Sequence, residues 1–307
     1  MYNFYKTINA KIEKINEFQP GAWINVVSPS KEELELISTT YNIDYGFLNA
    51  ALDIEETSRV ETEDNQTLII IDVPVTENYD GKAVYETIPL AIITTGDCIV
   101  TVCTRETSSI NNFITGNVRN VHTNLKTRFV MQILYKVSTR FLFYLKQIDR
   151  ISHNIERELH KSLKNKELIQ LLDLEKSLVF FSTSLKANES TIKRLQRGSV
   201  IKLYEEDEEL IEDVLIETKQ AIEMSNIYSS ILSGTMDAFA SVISNNLNIV
   251  MKVMTSITIL MSVPTMIASF YGMNVSGIPV AHFWVPVGIS VLVTTVTAIL
   301  LNKKGML

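Results

Sequence analysis

Apolar positions along the chain follow short, strand-like patterns first and helical ones later, and that order predicts the architecture. Trp23–Val27 reads as a strand, Leu68–Ile71 as a short buried strand, and Asp80-Gly81 as a turn joining Val73–Thr76 to Val84–Thr87. Leu90–Thr94 and Cys98–Val102, separated by Gly96-Asp97, predict a further hairpin. Ser30 followed three residues later by Glu33 is a capping box, so Ser30–Tyr41 is predicted as a helix. Residues 1–105 are therefore expected to form an α/β domain.

From about Ser108 the period becomes helical, and no proline occurs between Pro89 and Pro264. Helices are predicted over Asn124–Lys161 and from Asn165 to Arg197, where Arg197-Gly198 is a stop signal. A third begins near Glu205. On it Ile211, Leu215, Thr218, Ile222, Ser225, Ser229, Leu232, Met236, Phe239 and Ile243 alternate at spacings of four and three, the mark of a packing seam. Residues 106–251 are thus expected to be a helical stalk region.

The C-terminal pattern changes again. Val253–Phe270 is 18 residues without a charge, about 27 Å as a helix, and Phe283–Leu301 is 19 more, about 28 Å. A bilayer core is about 30 Å thick, so residues 252–307 predict a hairpin of two transmembrane helices. The loop Tyr271–His282 carries no Lys, Arg, Asp or Glu, whereas Lys252, Lys303 and Lys304 flank the outer ends. Positive charge is retained inside, so both termini are expected in the cytoplasm and the loop outside, in the inner (plasma) membrane.

Charge sharpens this division. All 35 acidic residues but only 25 of the 28 basic ones precede Lys252, leaving that part ten charges negative. Such a surface repels nucleic acid and collects cations. Met1–Asn25 holds no apolar core of signal-peptide length, so the body is expected to stay cytosolic. Cys98 and Cys103, five apart, fall on opposite faces of one predicted strand and read as buried thiols. There is no Gly-rich phosphate loop, no His-Glu-x-x-His and no Gly-x-Ser-x-Gly, and the four histidines are scattered. Neither an enzyme nor a nucleotide site is expected.

The first apolar run carries a polar stripe. Asn248, Met251, Thr255, Thr258, Ser262, Thr265 and Ser269 are spaced alternately three and four apart, so one narrow face takes hydroxyls and an amide through the membrane. Small hydroxylated residues also serve close packing between transmembrane helices, which would explain the same stripe. Two helices per chain cannot enclose a channel, so a pore would require several copies about an axis.

The run ends in Tyr271-Gly272-Met273-Asn274. That tetrapeptide, after Asn248…Met251-Lys252-Val253-Met254-Thr255 and before a second span ending in Lys303-Lys304, resembles the CorA family of magnesium channels. The resemblance is specific over residues 205–274 and architectural over the rest. It implies an α+β membrane protein: a cytosolic α/β domain and a stalk helix continuous with the first transmembrane helix. It also implies a homopentamer in the lipid bilayer, passive Mg²⁺ transport, Mg²⁺ as regulatory ion as well as cargo, and Co²⁺ as a further cargo.

By the same resemblance Gly272, Met273 and Asn274 form the selectivity filter, with Asn274 meeting the hydrated ion at the outer mouth. The stripe lines the pore, and Met251 and Met254 form an apolar constriction where dewetting can gate. Gly272 would allow the backbone to turn and Tyr271 would anchor the interface. Two departures stand out: Val275-Ser276-Gly277-Ile278-Pro279 replaces the usual Met-Pro-acidic stretch, and Pro264 lies one position later than the family proline. Ser262 also stands where an apolar residue is usual.

Asp213 falls on a family acidic position for regulatory Mg²⁺ between subunits, though it also sits in an acidic run from Glu205 to Glu212 that could simply be a solvated face. The family's partner carboxylate maps to Ala50, with Asp53, Glu55 and Glu56 nearby as substitutes. Two readings compete with Mg²⁺ transport: the same architecture carrying Co²⁺, Ni²⁺ or Zn²⁺, and a non-conducting membrane-anchored scaffold.

Overall fold

Four consecutive residues of one strand, Leu68 to Ile71, are fully buried, because both faces of the sheet they belong to are covered. In the computed structural model, which describes residues 1–9, 11–79, 82–162, 165–198, 200–273 and 282–306, that sheet has seven strands. They are β1 (Tyr2–Ile8), β2 (Lys11–Ile15), β3 (Trp23–Val27), β4 (Arg59–Glu63), β5 (Gln66–Tyr79), β6 (Lys82–Thr94) and β7 (Ile99–Cys103), in the order β2-β1-β3-β7-β6-β5-β4. Among the described residues only β3 and β7 pair in parallel.

One face is covered by α1 (Lys31–Tyr41) and α2 (Tyr45–Ala50), whose Leu34, Ile37, Phe47 and Leu48 share a core with Ile24, Ile70, Ile93 and Val100. The predicted capping box starts α1: the Ser30 hydroxyl accepts from the Glu33 N–H, and the Glu33 carboxylate accepts from the Ser30 N–H. On the other face lie α3 (Ser108–Ile114), α4 (Lys126–Ser162) and α5 (Asn165–Gln196). There Trp23 meets Phe113 and Phe129 edge-on, at centroid distances of 6.5 and 5.3 Å. Its indole donates to the Thr101 hydroxyl at 2.8 Å, which donates to the Asn25 carboxamide oxygen at 2.9 Å. The result is a three-layer sandwich.

The strands predicted separately as Leu68–Ile71, Val73–Thr76, Val84–Thr87 and Leu90–Thr94 form one two-stranded ladder, paired from Thr67↔Thr94 to Tyr79↔Lys82. The Asp80-Gly81 turn lies outside the described residues. Pro74 faces Thr87 and Pro89 faces Asp72, positions of equal parity in the ladder. Asp72 shows which parity this is: its N–H and C=O point away from β6 and are met by the carboxamide of Asn188 on α5, each at 2.8 Å. The prolines thus occupy positions where no N–H is owed to the partner strand. β4 ends at the Arg59↔Ile70 pair, so Asn188 supplies for one residue the hydrogen bonds of a missing strand. Short strands β1, β2 and β4 and helices α2 and α3 complete the unit without a strong sequence signal.

Cys98 and Cys103 are both buried free thiols. Burial pushes Cys103 up to about 11 and Cys98 upward as well.

Helix α6 runs from Glu205 to Tyr271, with Pro264 inside it, and α7 from Trp284 to Lys303. The chain divides into two compact units, Met1–Gly234 and Thr235–Leu307. In the first, the seam predicted on α6 is the buried face: Ile211, Leu215, Thr218, Ser225 and Leu232 are all inside. Thr218 shares a 2.8 Å hydrogen bond with Ser138 of α4, and Ser225 donates to the Leu178 carbonyl of α5 at 2.9 Å. Within this unit α4, α5 and the first part of α6 pack together against the sheet.

Candidate ion pathway

The second unit pairs the apolar end of α6 with α7, and both helices are long and apolar enough to cross a membrane. The face of α6 shielded in this unit is made by Ser256, Ile259, Leu260, Val263, Pro264, Ile267 and Tyr271, buried or half-buried at helical spacing. Pro264 belongs to this face and leaves the Leu260 carbonyl without its helical N–H.

The predicted polar stripe lies elsewhere. Asn248, Met251, Met254, Thr255, Thr258, Ser262, Thr265 and Ser269 are all exposed. At about 100° of rotation per residue the stripe is centred well over 90° from the shielded face. Its hydroxyls therefore do not serve packing against the chain's own α7. Met261, Ser262, Thr265, Met266 and Ser269 line a shallow groove along it.

The hydroxyls have a common orientation. Thr258 donates to the Met254 carbonyl at 2.9 Å, Ser262 to Ile259 at 2.8 Å and Thr265 to Met261 at 3.0 Å. A hydroxyl has one proton and two lone pairs. With the proton returned to the helix backbone, these oxygens present only acceptor capacity outward. Such a surface complements the waters of a hydrated cation, whose protons point away from the ion.

Gly272 follows the last helical residue and has no left-handed backbone. Its N–H donates to the Ala268 carbonyl at 3.0 Å, and a Cβ there would stand 3.3 Å from that oxygen, so any side chain presses on the end of the helix. Tyr271 is half-buried and Met273 exposed. Asn274, the residue expected to meet the ion, lies outside the described residues, as does the rest of the loop to Ala281.

The two carboxylates proposed for regulation are both exposed in the first unit. Asp53 accepts from the Glu55 N–H at 3.0 Å. Asp213 lies near α4, where burial first, and then the nearby Glu217 and Asp213 carboxylates, hold the Tyr135 phenol above its ordinary range. Among the described residues no group of three His, Cys, Asp or Glu side chains is placed to hold a metal.

Two residues that shape these surroundings carried no sequence signal. Asn188 acts through backbone geometry. Ser256 sits one position off the stripe, yet it is fully buried between Thr255 and Ile257, both exposed.

Comparison with known proteins agrees with this architecture. A 29% identical relative over 300 residues is the cobalt/magnesium transport protein CorA of Methanocaldococcus jannaschii, covering 92% of this chain and 90% of that protein. A magnesium transport protein CorA of Campylobacter jejuni is 23% identical over the whole of both chains. The complete structure of the M. jannaschii CorA magnesium transporter superposes with a TM-score of 0.86 at 25% identity, over 100% of this chain and 99% of that one. The family model described as CorA-like Mg2+ transporter protein matches residues 19–303. This chain, with its α/β sandwich, long helix and apolar C-terminal hairpin, belongs to the CorA-like Mg2+ transporter family.

Proposed function

We propose that this protein is a passive Mg²⁺ channel of the cytoplasmic membrane, a homopentamer with both termini in the cytoplasm. The observation that carries this reading is the outward stripe of α6, whose hydroxyls are exposed and three of which, on Thr258, Ser262 and Thr265, have their protons turned back into the helix. Repeated about an axis, it would give a lining of acceptors. Mg²⁺ sheds water reluctantly, so a lining that accepts hydrogen bonds from retained waters conducts without holding the ion too tightly. At −100 mV each Mg²⁺ gains about 4.6 kcal/mol on entry, at about 2.3 per charge, so no nucleotide is required.

Gly272, Met273 and Asn274 form the selectivity ring, and Met251 and Met254 the apolar constriction. Asp213 and Asp53 bind regulatory Mg²⁺ across subunit boundaries. Their exposure supports this, since clustered carboxylates from neighbouring chains repel unless a divalent ion bridges them. Low cytosolic Mg²⁺ then loosens the assembly and opens the constriction. Co²⁺ is a second cargo, a reading favoured by the cobalt/magnesium relative.

The test is potential-driven ion influx into proteoliposomes, wild type against Asn274→Ala, with Mg²⁺, Co²⁺, Ni²⁺ and Zn²⁺ in parallel. The channel reading requires Mg²⁺ influx that Asn274→Ala abolishes. Zn²⁺ carried in preference to Mg²⁺ would reassign the cargo, and no flux of any cation from inserted oligomers would leave a scaffold.

A further inference from the structure

Ser256 is the only residue between 240 and 273 that is buried among those described, and it has no exposed surface. Its hydroxyl lies 2.8 Å from the Lys252 carbonyl, one turn back on α6, and 2.8 Å from the Met306 carbonyl beyond the end of α7. One hydroxyl has one proton for these two acceptors.

The segment bearing Met306 is built for the encounter. At the end of α7, Gly305 takes a left-handed φ of 63°, its N–H donates to Asn302 at 3.0 Å, and the Met306 N–H donates to Leu301 at 3.1 Å. This is a Schellman ending, which folds the chain back across the helix terminus. Leu301 is buried beneath it. The Met306 carbonyl is thereby carried to Ser256 on α6, two residues along the chain from Met254.

We infer that Ser256 is a positioning residue: a hydroxyl latch that ties the C-terminal end of α7 to the constriction-bearing turn of α6 and biases the closed state. The latch releases without orphaning a donor, because the hydroxyl then gives its proton wholly to Lys252. Exchange is therefore close to balanced, as a gate needs. The latch follows from these contacts alone; its effect on gating rests on the channel reading above.

The test uses full-length protein in liposomes with Met306→Cys, a change that leaves the latching carbonyl in place. The rate of reaction with a membrane-impermeant maleimide reports release of the tail. The native thiols are a low background, since Cys98 and Cys103 are buried and raised in pKa. Adding Ser256→Ala, which removes one oxygen and adds no volume, should speed labelling roughly five-fold, the worth of one hydrogen bond. Gly305→Ala should act in the same direction: a Cβ there meets nothing within 4 Å, but φ of 63° strains it. Mg²⁺ influx at fixed cytosolic Mg²⁺ should rise in both. Unchanged labelling in Ser256→Ala would overturn the latch, leaving the hydroxyl an ordinary back-bond to Lys252. Faster labelling with no Mg²⁺ flux even in the unsubstituted protein would uphold the latch and fail the channel reading instead.

Discussion

The two ends of α6 carry the same alternation of four- and three-residue steps and put it to opposite uses. In the first unit the stripe through Ile211, Leu215, Thr218 and Ser225 is buried, and its hydroxyls bond to α4 and α5. In the apolar part the stripe through Thr255, Thr258, Ser262 and Thr265 is exposed, and three of its hydroxyls bond only to their own helix. Periodicity announces that a face will be matched by something. Burial tells whether the chain itself supplies the match. Where it does, the stripe is structural; where it does not, the match is another copy, lipid or an ion with its water.

That contrast can be broken at several points. The largest effect expected is loss of Mg²⁺ influx to the protein-free background in Asn274→Ala, with the thermal melting of the first unit unmoved. Next come substitutions in the buried half. Ile211→Ala should destabilise that unit by about 2–5 kcal/mol, read as a lower melting temperature of the full-length protein. A cost under about 0.5 kcal/mol, the usual effect of a surface change, would mean the seam is not core.

Asn188→Ala should cost about 2–4 kcal/mol by leaving the Asp72 N–H and C=O without partners. Asp72→Asn is the smallest effect and has the opposite sign. Burial raises the Asp72 carboxyl pKa, outweighing a hydrogen bond from Ser184 that lowers it. A raised carboxyl stabilises the folded state only while protonated, so its contribution is lost as pH rises through the folded pKa. Asp72→Asn should therefore raise the melting temperature at pH 7, and the gain should close as pH falls toward about 4. A gain that persists at low pH would assign the effect to something other than charge.

Much of this was legible from sequence because strong local rules applied. The Ser30–Glu33 capping box, the seam on α6 and the two uncharged runs each rest on period, capping or length, and each stands in the fold. The hairpin joining Val73–Thr76 to Val84–Thr87 was legible, but its continuation through Leu68–Ile71 and Leu90–Thr94 was not, because prolines are admitted in a strand only where the pairing parity owes no N–H. Strand β2, with no buried residue, gave no hydrophobic signal at all. At the pathway, the stripe and its spacing were readable, but not which way it faces. The roles of Ser256 and Gly272 were hidden for a similar reason. One depends on a carbonyl fifty residues away and the other on the approach of a helix-end oxygen.

The exposed hydroxyl stripe of α6 is proposed to line the path of the ion. This is tested most directly by potential-driven Mg²⁺ influx through the double variant Thr258→Val, Thr265→Val, which keeps side-chain volume and removes two levels of outward oxygen. The account predicts influx reduced several-fold or more, with membrane insertion, oligomer size and melting temperature as in the wild type. Influx equal to wild type from equally inserted oligomers would contradict it, and the stripe would then face helices or lipid.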